Sequence, residues 1–105
     1  MTWPTPYVAV IFTTRRSDDL EGYAEMAARM DELARQQPGF LGVDSVSSDD
    51  RGITVSYWVD EEASLAWRAV AEHQLAQRLG RDRWYDAYDL RVATVTRAHH
   101  FDRDD

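Results

Sequence analysis

The order of elements along this 105-residue chain predicts an α+β fold, a ferredoxin-like β-α-β-β-α-β arrangement with both helices on one face of an antiparallel sheet. Three observations predict it. Apolar, β-branched or alternating runs mark four strands, and two stretches repeat their apolar residues at helical spacing. Turn formers stand between them: Ser17-Asp18-Asp19, Pro38-Gly39, Ser48-Asp49-Asp50-Arg51-Gly52 and Gly80.

The first strand is Tyr7–Thr14 (YVAVIFTT). Ser17-Asp18-Asp19 then offers N-caps, and Asp18 followed by Glu21 has capping-box spacing. Leu20, Tyr23, Ala24, Ala27, Met30 and Ala34 form the apolar stripe of a first helix, with Glu21, Glu25, Arg29, Glu32 and Gln36 on its wet side. Pro38-Gly39 ends that helix. Phe40–Ser47 and Ile53–Val59 read as a hairpin, the latter alternating Ile53, Val55, Tyr57 and Val59 with Thr54, Ser56 and Trp58. Asp60 caps a second helix over about Glu61–Leu79, stopped by Gly80. A short helical piece, Asp82–Tyr88, leads into the last strand, Leu90–Ala98, and the charged tail 99–105 is expected to fray. No linker or repeat divides the chain, so residues 1–105 read as one domain with its core in about 7–101.

The first strand is apolar on both faces: Tyr7, Ala9 and Ile11 on one, Val8, Val10 and Phe12 on the other. Helices cover only one face of such a sheet. The second needs a cover, and another copy of the same sheet supplies it, so a homodimer closed through the sheet faces is expected.

Composition narrows the function. Nineteen acidic residues against twelve basic ones, all of them Arg, give a net charge of −7. A phosphate-tracking surface or an anionic membrane calls for the opposite balance, so neither nucleic acid nor membrane is expected as a partner. The chain contains no Cys, Lys or Asn. Thiol nucleophiles, Schiff bases and a P-loop lysine are therefore excluded. The longest apolar run, Tyr7–Phe12, falls far short of the ~20 residues that span a bilayer, and a cytoplasmic location is the default expectation.

Three groups of residues can carry chemistry. Trp67 and His73 lie on the second helix, about 600° of rotation apart, so that they flank one cavity only if it opens along the helix edge. His73 is the one histidine outside the tail, and imidazole suits proton transfer at neutral pH. From residue types alone the stronger reading is that Trp67 packs in the core and His73 is a half-exposed polar residue. Trp84, Tyr85 and Tyr88 place three aromatics in five residues, either a wall for a planar ligand or a satellite core. Arg81, Arg83 and Arg91 bracket them, as anion partners or as surface partners of Asp82, Asp86 and Asp89. His99-His100-x-Asp102 has metal-ligand residue types, but neighbours in an extended chain diverge and no third ligand stands nearby, so no metal site is expected.

Taken together, Pro38-Gly39-Phe40-Leu41-Gly42, the strand Ile53-Thr54-Val55-Ser56-Tyr57-Trp58, Trp67-x5-His73 and Arg81-x2-Trp84-Tyr85-x2-Tyr88-x2-Arg91-Val92-Ala93 resemble the antibiotic biosynthesis monooxygenase superfamily of small dimeric α+β barrels. The resemblance spans about residues 7–101. It implies a cofactor-independent monooxygenase that oxidises a small electron-rich hydroxyaromatic, polyketide- or quinol-like, with dioxygen. In that scheme His73 and Trp67 are the catalytic pair, and Trp84, Tyr85, Tyr88, Arg91 and Trp58 contact the substrate. The quinone-forming branch uses a Trp and a Tyr on this helix with an Asn and an Arg; here Trp67 matches, His73 stands at the Tyr position and no Asn exists. Other members bind or degrade haem through Asn, Trp and His, which makes haem ligation by His73 an alternative. A dimer that binds a small aromatic without turning it over is another.

Overall fold

The computed structural model describes residues 2–77 and 83–104. Its elements are β1 (Tyr7–Arg16), α1 (Tyr23–Arg35), β2 (Phe40–Ser48), β3 (Arg51–Trp58), α2 (Glu61–Gln77) and β4 (Tyr85–Val95). The sheet is antiparallel in the order β2-β3-β1-β4, the ferredoxin-like arrangement that the sequence predicts. No helix among the described residues is long and apolar enough to cross a membrane.

The alternation of β1 sorts the sheet into two faces. Val8 and Val10 point to the helices and join Ala34, Trp58 and Trp67 in the core, flanked by Met30, Leu33, Phe40, Ala63, Val70 and Ala71. Trp58 is 0% exposed, stacks on Trp67 with ring centroids 5.8 Å apart, and donates its indole N–H to Ser56 Oγ at 2.9 Å. The polar-looking row of β3, Ser56 and Trp58, therefore faces inward. Its apolar row, Ile53, Val55 and Tyr57, lies opposite Thr13, Ile11 and Ala9 on the face away from the helices. Trp3 folds over one end of that face, against Tyr7 (5.4 Å) and Tyr57 (5.1 Å). The rest is open: Val46 and its cross-strand partner Ile53 are 68% and 45% exposed.

Local signals explain most boundaries. Asp60 caps α2 by accepting from the Ala63 N–H at 2.8 Å. The hairpin turns at Asp49-Asp50, where Asp49 takes a positive φ of 54°, a conformation short polar side chains tolerate. Gly39, at φ 82°, sits where β2 enters beneath α2, and its carbonyl accepts from the Val59 N–H at 2.9 Å.

Two segments differ from expectation. The capping box does not form: α1 begins at Tyr23 behind Gly22, which adopts φ 81° and makes no side-chain cap. Ser17 to Glu21 is committed elsewhere, bonding to Arg83 and Trp84. Ala24 and Ala27 accordingly stay exposed, and the buried stripe runs through Met26, Met30, Leu33 and Ala34, whose longer members reach the sheet. The second difference is at the end of the chain. Residues from Tyr85 onward are strand rather than helix, because β1 extends to Arg16 and pairs with Tyr85 across a bulge at Arg15/Arg16. The expected end of the second helix at Leu79-Gly80, and Arg81 and Asp82, lie outside the described residues.

Candidate functional site

Residues directly opposite one another in an antiparallel pair share a face. Val8, Val10, Phe12 and Thr14 pair with Thr94, Val92, Leu90 and Tyr88, so this row of β4 belongs to the helix side. The helices, however, lie over β1, β2 and β3. Tyr88, Leu90 and Val92 are left 40–50% exposed, an apolar strip of about 13 Å beside the packed core. A cleft of about 220 Å³ between Pro6, Val8, Val59, Asp60 and Glu61 meets the strip at Thr94.

The other end is aromatic. Phe12 touches Tyr85 (5.6 Å) and Tyr88 (5.4 Å), these two touch each other (5.9 Å), and Tyr23 from α1 stands edge-on to Tyr85 (6.2 Å) and Trp84 (5.9 Å). The Arg16 guanidinium sits over the Tyr23 ring at 5.7 Å. Trp84 locks this end in place. Its indole donates to the Glu21 carbonyl (2.8 Å), its own carbonyl accepts from the Ser17 N–H (2.8 Å), and Arg83 pairs with Asp19 (3.3 Å).

Burial pushes the Tyr85 phenol well above its ordinary pKa, and the neighbouring Tyr23 hydroxyl adds to the rise. At neutral pH Tyr85 is therefore a hydrogen-bond donor and not a base. On the open sheet face, burial and the hydrogen bond to Asp44 (3.0 Å) raise Tyr57 in the same direction. Both groups hold their protons more tightly in the folded chain than in the unfolded one. Their contribution to stability is full below about pH 10 and is lost as pH rises further. Unfolding free energies from urea titrations at pH 8 to 11 are expected to fall above pH 10, by up to about 1.4 kcal/mol per pH unit for the buried Tyr85 phenol. Tyr85→Phe should flatten the fall, and an unchanged slope would contradict the assignment.

The residues singled out from sequence do not all meet. Tyr85 and Tyr88 stand at the aromatic end of the strip, which with the step up to the helices forms a shallow groove beside β4, and Trp84 is buried behind them. Trp58 and Trp67 are core rings stacked on each other. His73 is exposed on α2, on a different side of the helix from Trp67. Arg91 pairs with Ile11 and therefore lies on the opposite sheet face, 3.9 Å from Asp89. Among the described residues no group of three or more His, Asp or Glu side chains is placed to hold a metal. Sequence reasoning missed Phe12, Arg16 and Tyr23 as neighbours of the tyrosines. The available signal was that Phe12 and Arg16 share the even-numbered face of β1.

The exposed strip along the edge strand β4 belongs to a ferredoxin-like α+β sheet. Comparison with known proteins goes further. The profile of the antibiotic biosynthesis monooxygenase family matches residues 6–79, and the chain belongs to that family. It is 53% identical over 97 residues to the Bacillus subtilis protein YqjZ, itself uncharacterized, covering 91% of this chain and 85% of that one. It is 34% identical over 92 residues to the jasmonate monooxygenase of Pyricularia oryzae, covering 84% of this chain and 43% of that longer protein. Among solved structures, protein SO0527 of Shewanella oneidensis superposes with a TM-score of 0.74 at 13% identity, over 90% of this chain and 96% of that one. The cofactor-independent oxygenase SnoaB of Streptomyces nogalater superposes at 0.72 and 14%, over 90% and 97%. At those identities the likeness is one of fold.

Proposed function

We propose that this protein is a cofactor-independent monooxygenase acting on a small electron-rich hydroxyaromatic, working as a homodimer. The observation that carries the reading is the aromatic groove beside β4 in a chain of this family. SnoaB, an oxygenase without cofactor, shares the fold, and a sequence relative is a monooxygenase.

The chemistry needs little from the protein. A deprotonated hydroxyarene is itself electron-rich enough to pass an electron to dioxygen, so the protein supplies a base, orientation and a dry wall. One oxygen atom becomes the new ring carbonyl, and the other leaves as water with two hydrogens from the substrate, giving a quinone. Tyr88 and Phe12 wall the ring, and Tyr85, held protonated by burial and by its hydrogen bond with Tyr23, closes the aromatic end. Trp58 and Trp67 back the site as its rigid core. The role of base goes to His73 by the family resemblance alone, since His73 stands on the exposed face of α2 and not among the residues of the aromatic strip.

Oxygen uptake with anthrone and substituted hydroquinones tests the scheme, with quinone absorbance as the second readout. His73→Ala is expected to lower turnover about 10²-fold or more. Unchanged turnover in that variant would place the base elsewhere.

A second reading, a dimer that binds an aromatic without oxidising it, is favoured by one observation: the strongly shifted group in the groove is a phenol suited to donating, not to taking a proton. Saturable tryptophan quenching with no oxygen consumed would select it.

The dimer is argued from the open sheet face, where Val46, Ile53, Val55 and Ile11 form a continuous apolar area. Ile53→Asp would bury a carboxylate between two sheets, at a cost of several kcal/mol. Light scattering is expected to show a dimer for the wild type and a monomer for this variant at micromolar concentration. A monomeric wild type would end the dimer proposal.

A further inference from the structure

The groove has a polarity that the monooxygenase scheme leaves unused. Its strip, Tyr88, Leu90 and Val92, is apolar and open, yet it leads through Tyr85 to a cation. Arg16 lies opposite Tyr85 in the register and over the ring of Tyr23, half-buried. Among the described residues no carboxylate stands within ion-pair distance of it, although the chain carries a net charge of −7. Its protein partners are carbonyl oxygens of the hairpin, Asp49 O through Nη2 and Arg51 O through Nη1. These orient the guanidinium without neutralising it, and the remaining N–H donors of the fork stay unspent. A planar fork with free donors matches the geometry of a carboxylate.

We infer that the groove accepts an apolar molecule bearing one carboxylate, with the carboxylate on Arg16 and the hydrocarbon body along Tyr88, Leu90 and Val92. This rests on the groove as the small-molecule site proposed above, and it adds what that proposal does not specify: the charge of the substrate and the end at which it is held.

The test needs no turnover. Binding of 2-naphthoate and of its neutral methyl ester is compared by calorimetry on the full chain. The wild type is expected to bind the acid about tenfold more tightly than the ester or better, the range of a charge-assisted contact. Arg16→Gln should abolish that preference while changing the affinity for the ester by less than about twofold, and Arg16→Lys should retain part of it. Equal affinity for acid and ester, or a preference that survives in Arg16→Gln, overturns the carboxylate assignment and leaves the aromatic site standing. Binding of neither probe overturns both. Because Arg16 also ties down the hairpin, Arg16→Gln is first checked for folding by circular dichroism. If it does not fold, transferred nuclear Overhauser contacts from the wild type decide. Naphthoate protons near Tyr88 and Leu90 support the proposal, and their absence there refutes it.

Discussion

Replacing Trp58 by alanine is expected to remove about 3–5 kcal/mol of folding stability, the range for deleting a fully buried large aromatic. Trp58 has no exposed surface and touches every layer of the core: Phe40 edge-on at 5.6 Å, Trp67 stacked at 5.8 Å, and Val8 directly across the ladder. A domain of this size holds only about 5–15 kcal/mol in total, so the variant should lie near its unfolding midpoint in mild denaturant. Trp67→Ala should cost less than Trp58→Ala, because Trp67 keeps an edge towards solvent. The double variant should cost less than the sum, since each ring is the other's partner. Urea midpoints followed by far-ultraviolet dichroism measure all three. A loss below about 1 kcal/mol for Trp58→Ala would mean the stack is not the centre of the core.

Gly39→Ala is the second change with a large expected effect. At φ 82° an L-residue costs about 1–2 kcal/mol from its own backbone. The added methyl would also lie 2.7 Å from the Ala63 Cβ and 2.9 Å from Val59 Cγ2, distances real side chains do not adopt. Relief requires α2 to lift from the start of β2, and overpacking of this kind costs about 1–3 kcal/mol. The sum, roughly 2–5 kcal/mol, should appear as a lower urea midpoint with an unchanged denaturant slope. A paired variant, Ala63→Gly with Gly39→Ala, should recover part of the clash and none of the backbone cost.

The parts of the fold legible in sequence were those where a local signal and the tertiary structure agree. Asp60 caps α2, Pro38-Gly39 ends α1, and the two-sided apolar run of β1 marks the central strand. The start of β4 was not legible. Trp84 and Tyr88 stand four apart and imitate a helical face, but strand pairing with the end of β1 overrides that spacing. The capping box was misleading for a related reason: Asp18 and Glu21 have the right separation, yet the Ser17 N–H and the Glu21 carbonyl are both taken up by Trp84, sixty-odd residues away.

The candidate site was half legible for the same cause. Tyr85 and Tyr88 advertise themselves by density of aromatics. Phe12, Tyr23 and Arg16 reach them only through the ladder register and a bulge, which no spacing within one segment encodes. Arg91 illustrates the reverse. It is close to the aromatics in sequence and on the other face of the sheet in space, because one residue of offset decides the face.

The position of β1 between β3 and β4 carries a consequence for how the chain is made. On the ribosome β3, which pairs with one edge of β1, emerges after α1 and β2, and β4, which pairs with the other edge, emerges later still, after α2. Until then one full edge of the most apolar strand, Tyr7 to Phe12, has bare amide and carbonyl groups, and the anchor for the segment before α1 does not yet exist. Such an edge is the part of a nascent chain most prone to pair with a neighbour. Translation speed between β3 and β4, and chaperone occupancy during it, should therefore affect soluble yield.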